Sequence, residues 1–465
     1  MGLVGPTMAR SDGRTWHPQR HRAPTRALGS DLDDARSLRA VPTPVSGSVT
    51  ACCLLGFWGV PNFGDEWLFR AAQAFLREQF RHCRLTGLVD SELLERRLGQ
   101  HQDEVVLLDG FFPKPSFFAA LPEIVRTIRT ADLTLIGGGG LINDTYTCFS
   151  IPRYVVPALL SIALGTPVVW WGLGVVPPRR RLLRSLALWT LRHAAAVLTR
   201  DPDSRAYLQT HGVPALPSED LSLLGPPAPA VPALPRRGGR MLVVNFRDAA
   251  PELARGRLAF LEAQLDRFDR VVLVAAEPCD EAVYRELVDA LRLRRPLDTL
   301  EIVPATAYAR LQQTVAAASE VVSERLHISL FALATGVPTT VLAYERKIDE
   351  VVGRLYPSVP ITPRTMFWSD PPADLAGAVG ELAVDVALCK RQIAVQLRFA
   401  SRRATPALVR VGALLWLGAL LPLGSGLALA MWLRRAASGL RGHRLPRFGD
   451  RTPALGLRAV WPWPG

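Results

Sequence analysis

Lysine is scarce in this chain. Of 55 Lys and Arg residues only Lys114, Lys347 and Lys390 are lysine, so an ammonium stands out wherever one occurs. The six cysteines, at 52, 53, 83, 148, 279 and 389, form no Cys-x-x-Cys and no Cys/His cluster with zinc spacing. That excludes a zinc-stapled module and implies a reduced, cytoplasmic protein without a metal. No apolar core of signal-peptide length lies near the start, and Pro6 stands where a myristoylation site needs Ser or Thr. Neither the Gly-x-Gly-x-x-Gly fingerprint nor a Gly-Lys-Ser/Thr phosphate loop occurs, so both familiar nucleotide signatures are missing. Acidic residues are lacking at the ends. Residues 402–465 carry ten Arg against one Asp, and residues 1–46 carry seven Arg against four Asp, so about +1 of the formal +13 remains for residues 47–401. The near-neutral body argues against nucleic acid as its partner.

What is present is a repeated alternation. The 465 residues, 49% of them apolar, allow two domains of ordinary size plus extensions. Residues 1–46 are polar and aperiodic and predict a disordered extension. Val49 to Leu55 reads as a buried strand, Gly56 to Asp65 as a glycine-punctuated loop, and Glu66 onward as a helix with Trp67, Leu68, Ala71 and Phe75 at helical spacing. Asn62 and Asp65 either cap that helix or meet a ligand at its free N–H groups. Further strands are expected at 105–108, 131–136, 167–171 and 195–199. Gly137, Gly138, Gly139 and Gly140 follow one of them, where the backbone can approach a ligand closely. A Pro-rich stretch, residues 225–239, reads as a linker, after which the alternation restarts with strands at 241–245 and 271–276. The fold class predicted is α/β: two Rossmann-like domains, 47–224 and 240–401, facing a cleft, with residues 372–401 as a closing helix of the second.

The densest chemistry lies between Val321 and Asp349. A β-branched strand end hands over to Ser323, Glu324, Arg325 and His327, an apolar helix follows, and a second strand delivers Tyr344, Arg346 and Lys347. In open parallel sheets both places face the ligand crevice. A guanidinium and an ammonium there can hold carboxylate or phosphate oxygens, and an imidazole can move a proton. The alternative is a polar cap touching no ligand.

Taken in order, Gly59-x-x-Asn62-x-Gly64-Asp65-Glu66, the glycine run with Asp144, Arg200-Asp201 with Ser204, Asp220, Arg325-Leu326-His327 and Tyr344-x-x-Lys347 form a recognisable set. Over roughly residues 50–360 the chain resembles the polysaccharide pyruvyl transferase family. One departure is Leu221-Ser222, where the family has a Pro-Ala-like pair after the Asp. The resemblance implies a fold similar to GT-B glycosyltransferases and transfer of a pyruvyl group from phosphoenolpyruvate to two hydroxyls of a cell-envelope or exopolysaccharide sugar, closing a cyclic ketal. It implies no cofactor. It makes Arg325 and His327 the donor-site hallmark, and Arg247, Lys347, Arg200, Asn62, Asp65, the four glycines, Asp144 and Tyr344 substrate-binding residues.

The donor's carboxylate and phosphate call for at least two cations, for which Arg325, Arg247 and Lys347 are candidates. Protonation of its C3 calls for a general acid, a role that suits His327 with a reference pKa of about 6.5. Two other readings are a nucleotide-sugar glycosyltransferase, with Glu345 on the ribose, and an inactive scaffold binding envelope glycans or lipid. The retained Arg325, His327 and Lys347 weigh against the scaffold. The tail, residues 402–465, lies outside the resemblance. Val411 to Leu433 is free of charge and, as a helix, about 35 Å long, enough for a hydrocarbon core. Arginines flank both ends and Leu421 to Gly426 carries a Pro and two Gly. This favours a broken helical pair, re-entrant or lying on anionic lipid at the inner face of the cytoplasmic membrane, over a single span or a soluble helix. The enzyme would there meet a lipid-linked or polymeric sugar.

Overall fold

The apolar runs assemble into two parallel sheets. The computed structural model describes residues 8–9, 15–16, 49–58, 60–89, 105–109, 112–145, 147–225, 239–247, 250–294, 297–372, 375 and 377–440; in 8–9, 15–16, 105–109 and 429–440 only the backbone is described. Most of the expected extension 1–46, and the Pro-rich stretch from 226 to 238, lie outside the described residues. The first sheet comprises β1 (Ala51–Leu55), β2 (Arg84–Val89), β3 (Val105–Asp109), β4 (Leu133–Ile142), β5 (Val168–Val175), β6 (Ala196–Thr199) and β7 (Leu216–Pro217) in the order β3-β2-β1-β4-β5-β6-β7. Adjacent β1 residues point to opposite faces, as the pleat requires. Cys52 and Leu54 meet α1 (Phe63–Gln79), whereas Cys53 and Leu55 face the core shared with α2 (Pro115–Thr130), α3 (Ser150–Leu164), α4 (Arg181–Arg192) and α5 (Pro202–Thr210).

The second sheet repeats this plan with β8 (Met241–Asn245), β9 (Arg270–Val274), β10 (Leu300–Val303), β11 (Glu320–Ser323), β12 (Thr339–Ala343) and β13 (Ile361–Pro363), ordered β10-β9-β8-β11-β12-β13. Helices α6 (Ala254–Leu265), α7 (Pro278–Arg292) and α11 (Arg364–Ser369) cover one face, and α8 (Tyr308–Ala316), α9 (Leu326–Ala334) and α10 (Arg346–Leu355) cover the other. The strand order reverses at β1/β4 and again at β8/β11. Such switch points open a crevice at the carboxyl ends of the strands. The two crevices face each other, giving the GT-B-like pair of Rossmann-like domains.

The domains are joined by side chains as well as by chain. The first turn of α1 enters the second domain, where Phe63 and Trp67 are buried among Val243, Tyr308 and Phe331, and the Phe63 amide donates to the Ala276 carbonyl at 2.9 Å. Arg354 spans from α10 to Glu219 and donates to the Arg200 carbonyl at 2.9 Å.

Three features differ from the sequence expectation. The glycine run does not follow β4 but forms its second half. Gly138 and Gly139 take φ of +79° and +113°, the pairing with β5 shifts register between Gly139 and Ile142, and the strand continues. A Cβ at Gly137 would lie 1.8 Å from the Trp171 carbonyl oxygen, so only glycine fits that close strand approach. Helix α12 (Val386–Ala400), expected to close the second domain, packs on the first, with Ile393, Ala394, Leu397 and Ala400 in the core beside Phe69 and Trp171. Finally, the tail is not a broken pair. Residues Ala407–Leu440 form one unbroken helix, α13, through Pro422. An internal Pro costs about 3 kcal/mol, which burial of Ala413 and Leu417 against the α2/α3/α4 layer helps offset.

Candidate active site

His327 sits in the first turn of α9, where β11 delivers it to the cleft, and packs directly on the first turn of α1. A Cβ on Gly64 would lie 2.1 Å from its Nδ1, so Gly64 is what admits the ring. Trp67 meets the imidazole edge-on at 6.4 Å between ring centres. The Nε2 is buried without a hydrogen-bond partner and lies 3.7 Å from Asp220 Oδ1, an ion-pair separation rather than a hydrogen bond. Asp220 is fully buried. Its other oxygen accepts from Arg200 Nη1 at 2.8 Å, and its Oδ1 also takes the Ser222 amide at 3.1 Å. Burial would raise this carboxyl, but His327, Arg200 and the Ser222 amide overcome it and hold it well below the usual range. Burial lowers the His327 imidazole below its ordinary value; Asp220 pulls it up, and Lys347 and Arg200 push it down again. The sequence departure at Leu221-Ser222 keeps the backbone N–H that this arrangement uses.

Lys347, in the first turn of α10, has no hydrogen bond or ion pair among the described residues. Burial, with Arg200 adding, pushes its ammonium down to about 8, against Glu345, Asp220 and Asp65. Arg325 is its opposite. As the residue preceding α9, it donates from Nη1 to Glu277 Oε1 at 2.8 Å and from Nη2 to Asp280 Oδ1 at 2.6 Å, leaving Nε buried without a partner. Burial works against its charge, but Glu277 and Asp280 outweigh it and hold the guanidinium ionised. Glu277 also accepts from Asn62 Nδ2 at 2.6 Å. Asn62 is therefore both the N-cap of α1, accepting from the Gly64 amide at 2.9 Å, and a bridge between the domains. Arg247, beyond β8, lies 3.9 Å over the Tyr344 ring, and the Tyr344 hydroxyl donates to Glu345 at 2.9 Å.

The polysaccharide pyruvyl transferase family model matches residues 62–346, from the Asn62 cap to the start of α10. The chain belongs to that family. It is accordingly a transferase acting in pyruvyl transfer to a polysaccharide. No curated protein sequence matches it. Among solved structures, one UDP-N-acetylglucosamine 2-epimerase aligns at a TM-score of 0.50 and 12% identity over 77% of this chain and 99% of its own. The enzyme of that name from Methanocaldococcus jannaschii aligns at 0.48 and 11% identity, over 74% and 98%. At such identity the likeness concerns the fold alone.

The first domain of this pyruvyl transferase family member presents a different wall. Asp65, in the first turn of α1, has no hydrogen bond or ion pair to its carboxyl among the described residues. Burial, then Glu277, raises it well above the usual range, against Lys347, Arg200 and Arg325. Its Oδ1 would be 3.9 Å from a Cβ on Gly139, and nothing lies within 4 Å of one on Gly140, so the glycine run leaves open space beside the carboxyl. Asp144 stands apart. Its oxygens take the Arg179 and Arg180 amides, both at 2.9 Å, stapling the loop that leads into α4. The cleft thus brings together His327, Arg325, Lys347, Asn62 and Asp65, with Arg200 beneath them, while Asp144 serves a neighbouring loop.

Sequence reasoning gives no role to three carboxylates. Glu277 and Asp280 form an ordinary capping box at the start of α7, which hides their hold on Arg325. Glu324 is fully buried and accepts from Arg257 Nη2 at 2.7 and 3.0 Å, from Trp368 Nε1 at 2.8 Å, from Arg364 Nη1 at 3.1 Å and from the Arg247 amide at 3.2 Å. Its adjacency to Arg325 was the one available signal. Among the described residues no His/Cys/Asp/Glu group is arranged to hold a metal ion.

Proposed function

We propose that the enzyme takes its pyruvyl group from phosphoenolpyruvate and closes it as a cyclic ketal on two hydroxyls of a cell-envelope or exopolysaccharide sugar. The observation that carries this reading is the meeting, in one cleft, of an imidazole, an unbonded ammonium and an unbonded carboxyl: His327, Lys347 and Asp65. Lys347 and Arg247 hold the donor's anionic groups, and the free Nε–H of Arg325 adds a donor that stays charged at any working pH. Burial favours the neutral form of His327. The donor's phosphate and carboxylate offset that burial, so the imidazole takes up a proton as the donor binds.

The reaction then balances as follows. His327 gives its proton to C3 of the enol, and C2 becomes electrophilic. A first sugar hydroxyl adds to C2 and loses its proton to Asp65, whose raised affinity for protons makes it a stronger base than an ordinary carboxylate. The C2–O bond to phosphate breaks as the leaving phosphate takes the proton from Asp65, and a second hydroxyl adds and gives its proton back to His327, leaving the ketal and inorganic phosphate. The scheme draws on no cofactor. The acceptor is a lipid-linked or polymeric sugar met at the inner face of the cytoplasmic membrane. Phosphate release from phosphoenolpyruvate, tested with lipid-linked and nucleotide-linked sugars and read together with the mass of the sugar product, checks the proposal. Release that depends on the sugar and yields a product lacking one water relative to added pyruvate supports it. Donor turnover without a modified sugar overturns it.

A further inference from the structure

Helix α13 has two apolar faces, and the protein uses only one. Ala413 and Leu417 are buried in the first domain's core with Ile151 and Val155 of α3, and a Cβ on Gly412 would lie 2.9 Å from the Trp189 ring of α4. On the opposite face Leu408 is 86% exposed, Leu415 72% and Leu423 73%, with Val411 and Leu414 more than half exposed. Nothing lies within 4 Å of a Cβ on Gly418 or Gly426. These positions recur at the three- and four-residue spacing of a single helix face. Arg402 and Arg403 precede the stripe, and from Arg402 the sequence carries no acidic residue before Asp450.

We propose that this outer face of α13 lies on an anionic bilayer surface, the helix flat in the interface and the two domains standing above it. Flat docking follows from the buried face: a crossing helix would have to strip Ala413 and Leu417 from the core they complete. An isolated apolar stripe with basic flanks and no acid matches interfacial helices, whose affinity adds buried apolar area to attraction for anionic headgroups. A second copy of the chain would instead bring two strongly basic tails together, at an electrostatic cost.

The helix is also aimed. Arg410 Nε donates at 3.0 Å to the carbonyl of Ala163, near the end of α3, whereas a Cβ on Gly424 would lie 2.3 Å from the ring of Phe112, just beyond the carboxyl end of β3. The helix therefore runs antiparallel to α3, toward the end of the sheet where the cleft opens. At that end Arg179 and Arg180 lead into α4, which begins with Arg181 beside Leu182, 62% exposed. The surface so placed brings a membrane-borne acceptor to the glycine-lined wall. This last step rests on the proposed function; the docking of the helix does not.

Flotation of the full chain with phosphatidylcholine vesicles, with and without phosphatidylglycerol, tests it. The protein is expected to float with the anionic vesicles, to be largely released by salt, and to lose most of its flotation when Leu414, Leu415 and Leu423 are all replaced by Glu. Thermal unfolding and phosphate release with a soluble acceptor fragment are expected to stay unchanged in that variant. Failure of phosphate release with flotation intact would count against the proposed reaction alone. Wild-type protein left at the bottom of the gradient, or a glutamate variant that floats as well as wild type, overturns the docking. A lipid-free dimer by light scattering that the glutamates dissolve also overturns it, in favour of an interface between copies. Should the glutamates unfold the chain, the salt series decides: equal binding to neutral and anionic vesicles at every salt concentration overturns the proposal.

Discussion

The wall built by the second sheet and the wall built by the first handle charge in opposite ways. On the second, Arg325 spends two of its N–H groups on Glu277 and Asp280, and Glu324 gathers Arg257 and Arg364 beneath Arg247. Lys347 makes no hydrogen bond or ion pair there among the described residues. On the first wall the main feature is bare backbone, with one carboxyl, Asp65, that forms no ion pair among the described residues. Buried charges need partners, so a cation held by carboxylates is part of the frame and one left without them is available to a ligand. The comparison favours Lys347 over the family's hallmark arginine for anion binding, and the glycine wall for the proposed hydroxyl chemistry.

The largest effect tests the junction of the walls. His327→Gln should lower kcat by about 10² to 10⁴-fold while donor affinity changes little, since proton donation matters in the transition state. Calorimetry in buffers of different ionisation enthalpy should also show that the variant loses proton uptake on donor binding. Near-normal turnover would remove the imidazole from the chemistry. Gly64→Ala comes next. An early helical position ordinarily gains up to about 1 kcal/mol from this change. Here the added carbon would meet His327 Nδ1 at 2.1 Å, so turnover should drop about 10²-fold with thermal stability little altered. A fully active Gly64→Ala enzyme would show that the ring position is not critical.

Lys347→Ala should weaken donor binding about tenfold, measured by calorimetry. The sign of its pH dependence follows from its lowered pKa of about 8. Below that value the ammonium is charged and holds an anion; as pH rises through it, affinity should fall. Lys347→Arg should bind without this fall, and an unchanged profile would place the titration elsewhere. Arg325→Lys is the smallest in activity and the sharpest for the comparison. It should lower stability by about 1–3 kcal/mol by leaving Glu277 or Asp280 underbonded, with less than a tenfold loss of donor affinity. The reverse ranking, stability kept and binding lost, would restore the arginine as the donor clamp.

Local sequence signals revealed this site unevenly. The strand-to-helix handover at Val321–His327 and its repeat at Thr339–Lys347 were legible because β-branched runs ending in polar residues have few other readings. That Arg325 is occupied was not, since its partners lie 45 and 48 residues away and look like routine caps. Sequence places the glycine run after its strand because glycine usually breaks strands; what overrides this is the Trp171 carbonyl, a neighbour that only the register of β4 and β5 brings near. An amphipathic stripe tells that a helix is buried but not on what, so α12 was given to the wrong domain. The same ambiguity made Pro422 look like a break in α13. Asp220 showed only as a family position, and its link to Arg200 and His327 needs both sheets in place.

The insertion of Phe63 and Trp67 into the second domain has a mechanical consequence. Any swing of one domain against the other that keeps those rings seated must turn about the first turn of α1, so the pivot runs beside the chemistry rather than behind it. Gly64, Asp65 and His327 lie at the fulcrum, where displacement is least, while Arg346 and Asp203, paired at 2.9 Å on the exposed rim, lie farther out on the lever. Opening therefore changes the gap through which a bulky glycan enters and leaves the spacing of the reacting groups nearly untouched.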